Sequence, residues 1–247
     1  MIRKEIKLDK ETTDFRIEAY TYNVNVYTDN IPNPVVYVKG DIILKNDWCK
    51  GHENKYATIE EKNKNIVKNT RIFKNGFMSN VFSYNKTVVI SRNGQVTVNG
   101  YNLSNDGILE EEEIGSIDLV IPNGENYGKH NVDQINIKTM FGDISAKDLN
   151  IGNNTSPSSF RVETMSGNIT LERFQAMSTK LVTVSGDISA EIYESYVNYD
   201  LNLSALAGQI ERIIQETKEP QYIFDDRYYL DAETASGDIK VYFKGKN

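Results

Sequence analysis

The chain has 247 residues with 28 basic and 35 acidic side chains, a formal charge of −7, which argues against a generic nucleic-acid binder, because phosphate affinity comes from clustered Lys and Arg. A content of 39% hydrophobic and 26% charged residues excludes wholesale disorder, and the single cysteine, Cys49, excludes an intramolecular disulfide framework and a multi-cysteine zinc site. No run approaches the roughly 18 apolar residues of a membrane span, and Met1-Ile2-Arg3-Lys4-Glu5 lacks the apolar core of a secretory signal, so the expectation is a cytoplasmic protein, with surface association left open.

The 15 Tyr and 9 Phe, abundant Ile and scarcity of helical periodicity point to an all-β chain. Phe15 to Tyr27 alternates like a strand, and Pro32 and Pro34 break the pattern that follows, as in an N-terminal β-meander. Val36-Tyr37-Val38-Lys39-Gly40-Asp41-Ile42 then reads strand, glycine, polar, β-branched. Residues 45–80 are polar and poor in periodicity, an insertion with one short strand. Val89 to Val96 fits either a hairpin closed by Asn93-Gly94 or a degenerate copy of the later repeat. Glu110 to Glu113 reads as a solvated loop. A strand begun at Ile117 ends at Ile121-Pro122-Asn123-Gly124. The expected division is therefore 1–114, an N-terminal β region with the insertion 45–80, and 115–247, a repeat region.

From there one unit recurs five times, centred on Gly142, Gly167, Gly186, Gly208 and Gly237, which lie 25, 19, 22 and 29 residues apart. It reads Thr139-Met140-Phe141-Gly142-Asp143-Ile144, Thr164-Met165-Ser166-Gly167-Asn168-Ile169 and Thr183-Val184-Ser185-Gly186-Asp187-Ile188. Ala205-Leu206-Ala207-Gly208-Gln209-Ile210 and Thr234-Ala235-Ser236-Gly237-Asp238-Ile239 complete the set. Around each glycine the residues alternate with period two, sending every second side chain to one face of a strand. That face carries Ile135, Phe160, Thr179, Leu201 and Leu230 seven before the glycine. Isoleucine stands two after it in every copy: Ile144, Ile169, Ile188, Ile210 and Ile239. The glycine and its polar follower supply a corner, with positive φ expected at the glycine.

A two-stranded unit with one apolar face is not stable alone, so the units must stack, like residues about 4.8 Å apart. Stacked carboxylates would repel by roughly 0.9 kcal/mol per neighbouring pair in a water-like dielectric. In chain order the corner residues are Asp143, Asn168, Asp187, Gln209 and Asp238, so an alternating ladder of acids and amides is expected. The final strand, Ile239 to Phe243, is expected to form the open edge, guarded by Lys240, Lys244 and Lys246. The state expected is monomer or dimer.

The Ser-Gly-Asp-Ile units, preceded by Ile117-Asp118-Leu119-Val120-Ile121-Pro122, resemble a bacterial family of unknown function provisionally named for adhesins. The likeness spans about Gly115 to Phe243. It implies a β-solenoid and no catalytic residues, and some relatives are similar to envelope-stress proteins that sense membrane-active peptides.

No cofactor or metal is expected: His52 and His130 lack partners at ligand spacing, Cys49 has no histidine at a motif-defined distance, and the corners offer too few acids for the roughly six oxygens of a calcium site. The residues two before each glycine, Met140, Met165, Val184, Leu206 and Ala235, form an apolar column on the face opposite the isoleucines. Either Gln221-Tyr222-Ile223-Phe224 or a neighbouring wall covers it, or it is a stripe for a partner. The reading is a non-enzymatic binding or scaffold module for a protein or peptide partner, adhesin-like or associated with envelope stress. It would present loops at Asn150 to Ser159, Tyr193 to Asp200 and Gln215 to Tyr229. The alternatives are a polysaccharide-acting β-helix enzyme using carboxylates such as Asp225 and Asp226, and a structural fibre component.

Overall fold

A computed structural model of the chain describes residues 3–48, 55–62, 70–74, 77–81, 88–90, 96–98, 101–102, 115–122, 132–151, 158–216 and 227–245. The chain forms two units, residues 1–62 with 114–247, and residues 63–113. One boundary lies between 113 and 114, beside the division the sequence suggested, while the N-terminal strands join the same sheets as the repeats.

The first unit begins with β1 (Arg3–Lys7), β2 (Thr12–Glu18), β3 (Asn23–Asp29), β4 (Val35–Lys39), β5 (Ile42–Trp48) and β6 (Lys55–Glu61). The second holds β7 (Thr70–Lys74), β8 (Phe77–Val81), β9 (Val88–Ile90), β10 (Val96–Val98) and β11 (Tyr101–Asn102). Strands β9 and β10 run antiparallel, which decides for the hairpin over the degenerate repeat; its turn lies outside the described residues. The polar insertion consequently runs from 63 to 113, not 45 to 80, and it contains strands of its own.

The first unit resumes with β12 (Ser116–Pro122), β13 (Gln134–Thr139), β14 (Ile144–Lys147), β15 (Ser159–Ser166), β16 (Ile169–Phe174), β17 (Ser178–Ser185) and β18 (Ile188–Ile192). It closes with β19 (Tyr199–Ala207), β20 (Ile210–Ile214), β21 (Tyr228–Ser236) and β22 (Ile239–Phe243). These strands build two sheets, ordered β1-β4-β12-β3-β14-β16-β18-β22-β20 and β5-β6-β2-β13-β15-β17-β21-β19. Matched position by position, they give rungs of one strand per sheet joined at a corner: β2 with β3, β13 with β14, and so on to β19 with β20. The inward faces of both sheets enclose one apolar core.

Two further rungs escaped the repeat pattern, and a third matched it only weakly. Strands β2 and β3 pair in parallel with β13 and β14, Ile17 opposite Ile137 and Val24 opposite Ile144, so Phe15 to Tyr27 is a full rung with Tyr22 in the glycine position. Another rung is split: β6 pairs with β2 and β12 with β3, and residues 63–113 are inserted between its halves. The Gly40-Asp41 copy is a third, but it runs backwards, β4 antiparallel to β12 and β5 antiparallel to β6.

Chain order and rung order part company at both ends. The chain lays down β4 and β5 first and fills the space beneath them later with β6 and β12. Likewise β19 and β20 form the terminal rung, and the last segment, β21 and β22, lies between them and β17 and β18. The expected edge is corrected accordingly: β22 is interior, Lys244 just beyond it pairs with Glu191 at 2.8 Å, and the open edge at this end is β20.

Within the stack Ile144, Ile169, Ile188, Ile239 and Ile210 are register partners in that order, extended at the other end by Val24 and Ile117. All but Ile210 are buried; each such side chain stabilises the fold by about 1.5–3 kcal/mol. The repeat glycines are required by crowding more than by φ, which is left-handed only at Gly237 among the five. A Cβ on Gly167 or Gly186 would stand 2.3 or 2.2 Å from the carbonyl oxygen of the glycine one rung away. The threonine three before the glycine ties the corner: Thr139 Oγ1 accepts from Gly142 N at 3.0 Å, and Thr183 Oγ1 donates to Gly167 O at 3.1 Å.

Candidate docking surface

Two columns run along the corners of the stack, one polar and one apolar. In the polar column each side-chain oxygen accepts the backbone N–H of the next corner. Asn23 Oδ1 takes Asp143 N at 2.9 Å, Asp143 Oδ1 takes Asn168 N at 2.7 Å, and Asn168 Oδ1 takes Asp187 N at 2.9 Å. The series continues with Asp187 Oδ1 to Asp238 N and Asp238 Oδ1 to Gln209 N, both 2.8 Å. The ladder therefore exists, but its order is 143, 168, 187, 238, 209, which corrects the alternation expected from chain order: Asp187 and Asp238 are direct neighbours. Its bonds run from backbone to side chain, so an aspartate or an asparagine serves as acceptor.

The apolar column follows from the two-residue period, which turns residue −2 outward when −3 and −5 face the core. In space its order is Met140, Met165, Val184, Ala235, Leu206, spanning about 19 Å at one rung per residue. Met165, Val184 and Leu206 are 50%, 51% and 86% exposed, Met140 and Ala235 are half-buried, and Phe141 adds exposed ring area beside Met140. The segment Gln221 to Phe224, considered as a cover, lies outside the described residues.

Charges beside the stripe are spent on one another. Lys138 reaches Glu163 at 2.8 Å, and Arg161 also pairs with Glu163, holding its carboxyl below the usual range, the Lys138 hydrogen bond being the largest cause. Lys180 bonds Asp231 at 2.5 Å and Glu233 at 3.4 Å, while Asn202 Nδ2 donates to Asp231 at 2.8 Å. The bond to Asp231 is the largest cause of the raised Lys180 pKa. Exposed pairs of this kind add little stability, so the surface offers apolar contact framed by paired ions.

At the opposite corner Asp148 and Arg173 both adopt left-handed backbone, φ 52° and 49°, and pair across adjacent rungs. The loop Tyr193 to Asp200 is tied down by Glu216, which accepts Tyr196 N at 2.7 Å and Ser195 Oγ at 2.9 Å. Beneath it the Tyr199 and Tyr228 rings stack at 5.1 Å, and Gln175 Nε2 donates to Tyr228 Oη at 2.5 Å. Tyr199 Oη is buried without a hydrogen-bond partner among the described residues, and burial lifts its pKa well above the tyrosine range.

Most of the other loops and reactive groups singled out from the sequence fall outside the described residues: Cys49, His52, His130, Glu110 to Glu113, Asp225, Asp226, and the centres of the loops at 150–159 and 215–229. Among the described residues no three His, Cys, Asp or Glu side chains gather as a metal site, and no helix is long and apolar enough to cross a membrane. The repeat pattern passed over Arg212. It stands four after Gly208, where the other copies have Ala146, Leu171, Ala190 and Val241, and that break in an apolar column was readable.

The Toastrack DUF4097 family model matches residues 58–247. Among solved structures, a Clostridium sporogenes protein provisionally named for cell adhesion is similar over 98% of this chain and 99% of its own, with a TM-score of 0.58 at 7% identity. A Bacteroides fragilis protein provisionally named an adhesin aligns over 98% of this chain and 96% of its own at a TM-score of 0.33 and 11% identity. No curated protein matches the chain.

Proposed function

The chain belongs to the Toastrack DUF4097 family, and from that membership we propose that it is a non-enzymatic binding module that docks a protein or peptide partner along the Met140-Met165-Val184-Ala235-Leu206 stripe. The observation that carries this reading is the exposure of Met165, Val184 and Leu206 in one row on a hydrogen-bonded stack. Such a row costs apolar surface in water, and flexible methionines adapt to varied contacts. A stack whose neighbouring rungs share corner hydrogen bonds holds that row rigid, so little ordering entropy is lost on docking. The name of the Clostridium sporogenes relative, given provisionally for cell adhesion, supports an adhesive role.

The test is a photo-crosslinking amino acid at Val184 in the full chain, in lysate of the source bacterium, compared with the same chain carrying Met165→Ser and Leu206→Ser. The expected result is a discrete crosslinked adduct lost in the double variant, with unchanged circular dichroism. An adduct pattern indifferent to the two substitutions would overturn the stripe as the docking site.

A further inference from the structure

The terminal rung, β19 with β20, ends both sheets, so each strand is hydrogen-bonded to a neighbouring strand on one side and, among the described residues, pairs with no strand on the other. Its core-facing residues are correspondingly uncovered: Ile210 and Ile214 are 46% and 43% exposed, and Leu201 and Leu203 are half-buried. Their register partners Ile239, Phe243, Leu230 and Ala232 are fully buried. Between Ile210 and Ile214, in the same inward column, stands Arg212, opposite the buried Val241. It is exposed and makes no ion pair among the described residues.

An inward base on an open edge works against a second copy of this chain. Antiparallel self-pairing of β20 with Ile210 opposite Ile214 sets Arg212 against Arg212. Stacking β20 on the far end of the same sheet brings it to β1, whose inward face, read from the partners Val38 and Val36, carries Lys4 and Ile6. Either arrangement opposes cation to cation at one rung's distance. The far end is also closed in another sense, since Lys4 already pairs with Asp41 at 2.9 Å.

We propose that the β19–β20 edge is a strand-docking site for a partner protein whose added strand carries an apolar, alternate, acidic, alternate, apolar sequence, the acid meeting Arg212 and the apolar residues meeting Ile210 and Ile214. Main-chain bonds along the edge supply the attachment, and the charge at the centre of an apolar column selects the partner. This surface shares β19, which carries Leu206, with the apolar stripe, but it uses the core-facing residues and the main chain of the edge rather than the outward column, and it stands whether or not that column is occupied.

The test uses the full chain and fluorescein-labelled peptides copying its own Tyr228–Lys244 rung, in three versions: Val241 retained, Val241→Glu and Val241→Lys. Anisotropy titrations are expected to rank the Glu peptide first, about tenfold or more tighter than the Lys peptide. In Arg212→Glu, an exposed substitution, the order reverses, and in Ile210→Asp all three bind weakly. Equal affinities, no binding of the Glu peptide, or an order unchanged in Arg212→Glu would overturn the proposal. So would sedimentation showing a wild-type dimer that the Ile210→Asp substitution dissolves, since the occupant would then be a second copy.

Discussion

The rung of β17 and β18 and the rung of β19 and β20 carry nearly the same motif, Thr183-Val184-Ser185-Gly186-Asp187-Ile188 against Ala205-Leu206-Ala207-Gly208-Gln209-Ile210, yet they lead different lives. In the first, Ile188 is buried and every strand has neighbours on both sides; in the second, Ile210 is half exposed and the edge is open. The motif specifies the rung, but its place in the stack decides whether an isoleucine is core or contact surface. The terminal copy shows the distinction in its own residues: alanine replaces threonine at 205, and arginine enters the core column at 212.

The sharpest way to separate the two rungs is truncation of their equivalent isoleucines. Ile188→Ala, deep in the stack, should cost about 2–5 kcal/mol in urea unfolding, whereas Ile210→Ala should cost less than about 1 kcal/mol. Equal losses would mean that the two positions are equally enclosed. Next in size, Gly186→Ala should destabilise by about 1–3 kcal/mol, because its Cβ would meet a fixed carbonyl 2.2 Å away with rungs on both sides.

Ionisation gives a smaller and pH-specific effect. Since burial raises the Tyr199 pKa, the folded state holds its proton while the unfolded state releases it, so this contribution to stability is intact below the tyrosine range and is lost as pH rises above about 10. Tyr199→Phe should flatten that alkaline fall in Tm without loss at neutral pH, its hydroxyl having no hydrogen-bond partner among the described residues. A variant that loses stability at neutral pH would show that the hydroxyl is bonded. Smallest of all, Asp187→Asn keeps the acceptor for Asp238 N and removes one of two adjacent charges, and should stabilise by up to about 0.9 kcal/mol at low salt. Were Gln209 its neighbour, as in chain order, no such gain would appear.

The repeating half was legible because each rung must satisfy the same local constraints: an apolar residue every second position, a small residue where carbonyl meets corner, an acceptor for the next N–H. Tyr22 hid the rung at Phe15 to Tyr27. A large ring fits the glycine place there because Gly115 and Gly40 leave room for it, a Cβ on either lying 2.3 Å from that ring or its hydroxyl. The split rung was hidden by its 63–113 insertion, and Glu61, buried at the threonine position, accepts Tyr20 N at 2.6 Å and Thr21 N at 3.0 Å. Rung order was beyond reach for a different reason. Stacking energies between near-identical rungs are nearly degenerate, so the connection from Ile214 to Tyr228 can place the last segment on either side without a change in local pattern. Of the docking surface, the apolar column was readable by parity, and its exposure had to await the packing.

Per-residue amide hydrogen exchange on the native chain tests the rung order most directly. With β22 enclosed by β18 and β20, all its amides should exchange slowly, while alternate amides of β20, those facing away from β22, should exchange as fast as exposed backbone. Fast alternate exchange in β22 together with uniform protection of β20 would contradict it.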